Sequence, residues 1–404
     1  MPFVVSKILY AFFFVILHSY VYKGGDTFLY FAGAKFILSQ IAESPENIST
    51  FLFTDFYPNQ QVVYTDNFKI YYSFRDKATL IMSQITAIIT FFGVKSFLAT
   101  NILFSYLFSF GIWHLFSRVV STFPQKIKLF AIGILFLPTI STWSSGILKD
   151  TITLCAICYL FVLTVNLAQG KKIIYSSILI LFWAYICLLL KAYILYLFIP
   201  MLLLWTQSAI SKEIKNKTIK ALIRPLIFTV ILVSVYFFFD FISENAGKYS
   251  LDNVQDVAVG FQNWHQHLAE TKDQSGYSLG EVNFTFTGVL RKAPEAFFVT
   301  YYRPTIIEIR NFANLFESLQ VTLLLVYTIF ILFKVNPVNI YRLIYSNHHI
   351  RSFLFFAITM GISVGLTSYN FGALSRYKIP CLVFYVISLI LIHDLGTRKK
   401  QLSD

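Results

Sequence analysis

The residues best able to do chemistry here are charged side chains set against the ends of long apolar runs, where an unpaired charge is costly. Asp26 follows the first such run directly, within Gly24-Gly25-Asp26-Thr27-Phe28-Leu29-Tyr30. The glycines let the chain turn sharply. A carboxylate there can take a proton from a sugar hydroxyl or help hold a metal–phosphate, and a divalent metal stays open though nothing else indicates one. The plainer reading is a polar turn or helix cap, where Asp is favoured. A second place runs from Pro138 through Thr142, Trp143, Ser144, Ser145 and Gly146 to Lys149-Asp150. Proline and glycine break a helix, and hydroxyls can satisfy the freed backbone where irregular chain lines a cavity in a membrane. Lys149 and Asp150 could also simply pair at a tight turn.

A third group gathers Arg291-Lys292-Ala293-Pro294-Glu295, Tyr301-Tyr302-Arg303-Pro304, Glu308 and Arg310. Residues 289–302 read as an amphipathic helix on the outer surface, mixing aromatic rings with charge. Arginine forks grip phosphate through two parallel bonds, and an aromatic bed suits a lipid-linked substrate; the bland alternative is an anchor helix with snorkelling cations. In the fourth, Ser368 to Pro380, Arg376 and Lys378 stand in a short outer turn, against the usual charge bias, and point to an anionic ligand such as pyrophosphate. Lys191 is the fifth, completing a ring of outer cations. Candidate catalytic groups are thus Asp26 and Asp150, with Tyr30, Lys149, Lys191, Arg303, Glu308, Arg310, Arg376 and Lys378 as substrate-binding groups.

Other features are weaker. Cys155-x-x-Cys158 places two thiols on one helical face, which in an apolar helix usually means small packing residues. Trp264-His265-Gln266-His267 reads as a solvated helix face, and His348-His349 lacks a neighbouring Cys or carboxylate. The sequence contains no P-loop, dinucleotide fingerprint, HExxH or nucleophile elbow.

Such residues need elements to hold them, and the composition says which. Apolar residues make up 56% of the 404, charged residues 13%, and mean hydropathy is +0.65. A soluble domain carries about 25% charge, so this chain cannot cover itself with a hydrated surface. The expectation is an all-α, polytopic transmembrane bundle forming a single membrane domain over residues 1–404. A span needs about 20 apolar residues, and about ten candidates lie near 3–22, 98–117, 129–147, 151–168, 173–190, 192–208, 226–243, 315–334, 351–368 and 380–396. The first reads as a signal anchor rather than a cleaved leader. Lys191 reads as the turn of a helical hairpin, and 79–95 as an amphipathic helix on the outer interface.

Charge tests this arrangement. With both termini cytoplasmic, the inner segments at 118–128, 171–172, 212–224, 334–351 and 394–404 are acidic only at Glu213, Asp394 and Asp404. Their cationic excess equals the whole net charge of +13. The basic balance therefore reports orientation by the positive-inside rule, with no call for nucleic acid. Two large outer loops result, at about 23–97 and 244–314.

Together, the Gly-Asp-x-x-x-Tyr after span one, the Trp-Ser-Ser-Gly-Ile-x-Lys-Asp turn, Tyr-Arg-Pro in a late loop and Arg-Tyr-Lys-Ile-Pro before the last span resemble bacterial envelope-polysaccharide proteins. These are the O-antigen polymerase type and the related GT-C glycosyltransferase architecture. The resemblance implies a periplasmic active face in a bacterial inner membrane, with a polyprenyl-phosphate-linked saccharide as substrate and membrane lipids around it. It further implies that Asp26 matches the catalytic Asp of the first outer loop, although the usual acidic doublet is absent. Arg303, Arg310 and Arg376 would correspond to substrate-gripping arginines. The alternatives are a transporter or flippase for the same lipid-linked glycans, or a non-catalytic assembly subunit.

Overall fold

The computed structural model describes residues 2–53, 74, 76–213, 259–260, 276–280, 282, 286–308 and 312–401. Among them every named element is helical, and seven helices are long and apolar enough to cross a membrane. The expected span 226–243, Arg310 and the His265–His267 pattern lie outside the described residues.

The chain opens with α1 (Pro2–Ile16), which widens into a π-helical turn over Leu17–Val21. The short helices α2 (Asp26–Glu43), α3 (Ile48–Phe53) and α4 (Lys77–Phe92) follow and pack on one another. Asp76 starts α4 by accepting the Thr79 N–H at 2.8 Å, an ordinary acidic N-cap. The sequence predicts a helix over 79–95 on the outer interface; the one found is packed among its neighbours, with Leu80, Met82 and Ala87 fully buried. Next comes α5 (Phe97–Thr122), then the predicted span 129–147, which is not one helix. It is divided into α6 (Ile127–Phe130), a π-helical turn at Ala131–Leu135 and α7 (Pro138–Trp143). Pro138 is the cause, since it has no N–H and its ring excludes the preceding turn. The backbone freed there is satisfied by side chains: Ser141 Oγ donates to the Leu135 carbonyl, and Gln320 Oε1 accepts the Thr139 N–H.

From Ser144 to Leu148 the chain is irregular, yet it is buried in protein, the condition under which a membrane protein tolerates such backbone. Lys7, the early cation of the first span, is turned inward to this loop. It is 2% exposed and donates to Ser144 Oγ at 2.6 Å and Ser145 Oγ at 3.4 Å.

The helix α8 (Lys149–Ala168) runs through the middle of the bundle and is nearly all buried. Beside it lies α9 (Ile173–Glu213), broken by non-helical angles at Lys191. Trp183 in the first arm stacks on Tyr159 of α8, while Trp205 in the second meets Phe161 of the same helix. Both arms therefore descend along α8, and the chain doubles back at Lys191 as the hairpin expectation requires.

The remaining helices are α10 (Phe286–Tyr302), α11 (Phe312–Lys334), α12 (Pro337–Ser346), α13 (His348–Thr367), α14 (Phe371–Tyr377) and α15 (Ile379–Gln401). The outer-surface reading of 289–302 needs correction. That helix packs into the bundle against α13, with Ala296, Thr300 and Tyr301 fully buried. Gly361 and Gly365 make room for it: a methyl group on Gly365 would stand 2.2 Å from the Ala296 carbonyl oxygen. Small residues four apart allow such close approach between membrane helices. All four cysteines are free and buried. Cys155 presses on Gly111, where an added Cβ would meet Sγ at 2.8 Å, so this thiol works as a packing residue.

These contacts define two ends. One holds the starts of α2, α8 and α11 with α14. The other gathers Arg118, Lys126, Lys128, Lys171, Lys172, Lys334, Arg342, Arg351 and Arg398 at the opposite helix ends, while Lys215, Lys217, Lys220 and Arg224 of the same expected set lie outside the described residues.

Candidate functional site

Four of the five sequence clusters meet at the first end. Gly25, at φ +115°, bends the chain over the His18 ring so that α2 begins with Asp26. Asp150 stands in the first turn of α8, where the helix dipole favours a carboxylate. Lys191 enters from the α9 break and Arg376 from α14.

Arg376 ties them together. Its Nη1 donates to Asp26 Oδ2 at 2.9 Å and its Nε to Asp150 Oδ2 at 2.5 Å. Lys191 Nζ donates to the other oxygen, Asp150 Oδ1, and lies 4.3 Å from the centroid of the Tyr377 ring. Asp150 thus spends each oxygen on a different cation. Burial alone would make Arg376 easier to deprotonate, but Asp150 and Asp26 outweigh it and hold the guanidinium firmly charged.

Exposure separates the two aspartates. The Asp150 side chain is 1% exposed and that of Asp26 is 35%. Asp26 is therefore the carboxylate an outside reactant can reach, while Asp150 anchors the two cations. Lys149 extends the site sideways. Its Nζ lies 3.8 Å from Asp76 Oδ1 and 5.8 Å from the centroid of the buried Tyr30 ring.

Lys378 does not join Arg376. Two residues apart on a helix means opposite faces at about 100° per residue, and Lys378 instead pairs with Glu317 of α11 at 2.7 Å. Ser375 donates to the same carboxylate. The short α14 is consequently fixed from both sides, Asp26 and Asp150 holding one and Glu317 the other.

Arg303 forms a separate clasp. Its Nε donates to Glu308 Oε1 at 2.8 Å, while Glu308 Oε2 accepts the Thr305 N–H and hydroxyl. The guanidinium lies over Tyr277 at 5.6 Å and Phe371 at 5.4 Å, beside α14 but turned to Glu308. Burial pushes the Glu308 carboxyl up, but the bonds from Arg303 and Thr305 prevail and hold it below its ordinary range.

Sequence reasoning missed Asp76 and left Glu317 without a role. Asp76 carried a signal in its capping position before α4, but nothing in the sequence joined it to Lys149. Among the described residues no group of three or more His, Cys, Asp or Glu side chains gathers as metal ligands would. No protein-family model matches this chain, and neither the curated proteins nor the solved structures contain a match to it.

Proposed function

We propose that the chain is a membrane glycosyltransferase or polysaccharide polymerase using polyprenyl-(pyro)phosphate-linked sugars at the periplasmic face of a bacterial inner membrane. About ten spans with cytoplasmic termini belong to this reading, and so do the outer loops at about 23–97 and 244–314. The observation that carries it is one arginine shared by a buried aspartate and an open one.

The division of labour follows from that geometry. Asp150 and Lys191 keep Arg376 in place, so its Nη1 edge is preorganised for an anion. A donor phosphate arriving there competes with Asp26 for the guanidinium and releases the Asp26 carboxylate. Asp26 then takes the proton from an acceptor hydroxyl as that oxygen attacks the anomeric carbon. The bond from that carbon to the lipid phosphate breaks, its electrons leave with the phosphate, and Arg376 stabilises the charge that develops. Asp150, 1% exposed, acts in this scheme as a positioning residue rather than a base.

A transporter of the same lipid-linked material is the second reading, favoured by the buried Glu317–Lys378 pair and by Lys7 inside the first span. Intramembrane charges of this kind often mark transport pathways. One experiment separates the two. Asp26→Asn preserves shape and removes the base, so turnover should fall by about 10²–10⁴, with lipid-linked precursor accumulating on the outer face. Accumulation on the inner face would instead favour transport, and a loss of less than a few-fold would return Asp26 to the role of a helix start.

A further inference from the structure

At the end of the bundle opposite the aspartates, α12 runs between the last turn of α11 and the start of α13. Asn336 caps it by accepting the Val338 N–H, and Pro337 fixes its first turn. Leu343 is its one buried residue, seated against the bundle. The outward side carries two stripes. Val338, Tyr341 and Tyr345 form an exposed apolar one, with Tyr341 71% and Tyr345 74% exposed. Arg342 and Ser346, one turn apart, form a polar one beside it. Between them runs a shallow, open groove lined by Tyr341, Arg342, Tyr345 and Ser346.

The cations here differ in what they do. Arg351 is spent internally, donating to the Tyr345 carbonyl at 2.7 Å and to Ser208 Oγ at 2.6 Å, which secures the end of α12. Arg342 is exposed and makes no hydrogen bond or ion pair among the described residues. Lys334 is exposed in the turn before, and no carboxylate lies between it and Arg351 in the sequence.

We infer that this face of α12 is a binding site for an anionic phospholipid, with Arg342 gripping the phosphate and the tyrosines seated at headgroup depth. Charge and shape argue together. A planar guanidinium offers two donors to one phosphate, tyrosine concentrates at the interface because its ring is apolar and its hydroxyl wet, and a helix with such stripes lies along a membrane surface. The end on which α12 sits is the cationic one, complementary to an anionic leaflet.

Native mass spectrometry of the full chain in detergent, titrated separately with phosphatidylglycerol and phosphatidylcholine, tests this. The wild-type protein should hold phosphatidylglycerol more tightly. Arg342→Gln, an exposed substitution, should weaken that lipid about fivefold, the equivalent of about 1 kcal/mol per surface cation, and leave phosphatidylcholine unchanged. Lys171→Gln removes another exposed charge from the same end and should have no effect. Inorganic phosphate should fail to displace the lipid, because the tyrosine stripe adds nothing for a ligand without acyl chains. Equal affinity for both lipids, no change in Arg342→Gln, an equal loss in Lys171→Gln, or displacement by phosphate would each overturn the assignment.

Discussion

Asp26 and Asp150 hold the same guanidinium, yet substituting them should have unequal consequences for stability. Asp150 is buried between two cations, and removing one member of such a group leaves charge uncompensated at a cost of about 3–5 kcal/mol. Asp150→Asn should therefore lower the midpoint of thermal unfolding in detergent sharply, whereas Asp26→Asn, at the open edge, should leave it nearly unchanged. A similar fall in both would mean that Asp26 is as structural as its neighbour. Glu308 offers a pH test at the same scale. Its folded carboxyl titrates below the ordinary glutamate value of 4.5, so its contribution is complete above that value and is lost as pH falls through the lowered one. The stability difference between wild type and Glu308→Gln should hold from neutral pH to about pH 5 and shrink only under stronger acid. A difference that disappears already near neutrality would exclude the clasp as its source.

Helices here meet through small residues rather than through an aqueous hydrophobic force, since lipid is as apolar as the helix faces. The contact of α10 with α13 depends on Gly361 and Gly365 for this reason. Gly365→Ala would place a methyl group 2.2 Å from backbone at Ala296, and neither helix can yield without moving Tyr301, whose hydroxyl donates to the Ala357 carbonyl. The expected loss is about 1–3 kcal/mol from overpacking, read as a lower unfolding midpoint. Because α10 leads into Arg303, proteolysis near Glu308 should quicken as well. A variant as stable as wild type would show that the two helices are not closely apposed.

Over the whole molecule, the Asp26–Arg376 centre and the cation-rich helix ends lie at opposite extremes, and the proposed orientation sends the cationic extreme to the cytoplasm. With the four native thiols buried, single cysteines introduced at the surface can report sidedness in intact cells. Lys171→Cys should be shielded from an impermeant maleimide and Lys23→Cys, beside Asp26 in the chain, should react. The reverse pattern would invert the topology and move the proposed active face to the cytoplasm.

Much of this was legible in the residues alone. Scarce charge and apolar runs of about 20 residues pointed to membrane helices, because lipid leaves backbone groups partners only within a helix or a closed barrel, and runs of that length match a helix. Lys191 announced a reversal because a lysine is expensive in the middle of a long apolar run. The members of the charge cluster were also recognisable singly, each being a charge without a topological excuse. What only the tertiary structure decided was their pairing. Asp26 and Arg376 are 350 residues apart, and no local pattern records which carboxylate a distant cation will find. For the same reason Lys378, adjacent to Arg376 in every sequence argument, went to Glu317: helical geometry turned it to the other side of a seven-residue helix. Sequence determined which residues had to be neutralised, and packing determined by whom, because the cost of a buried charge is a property of the residue and its compensation is a property of the neighbours.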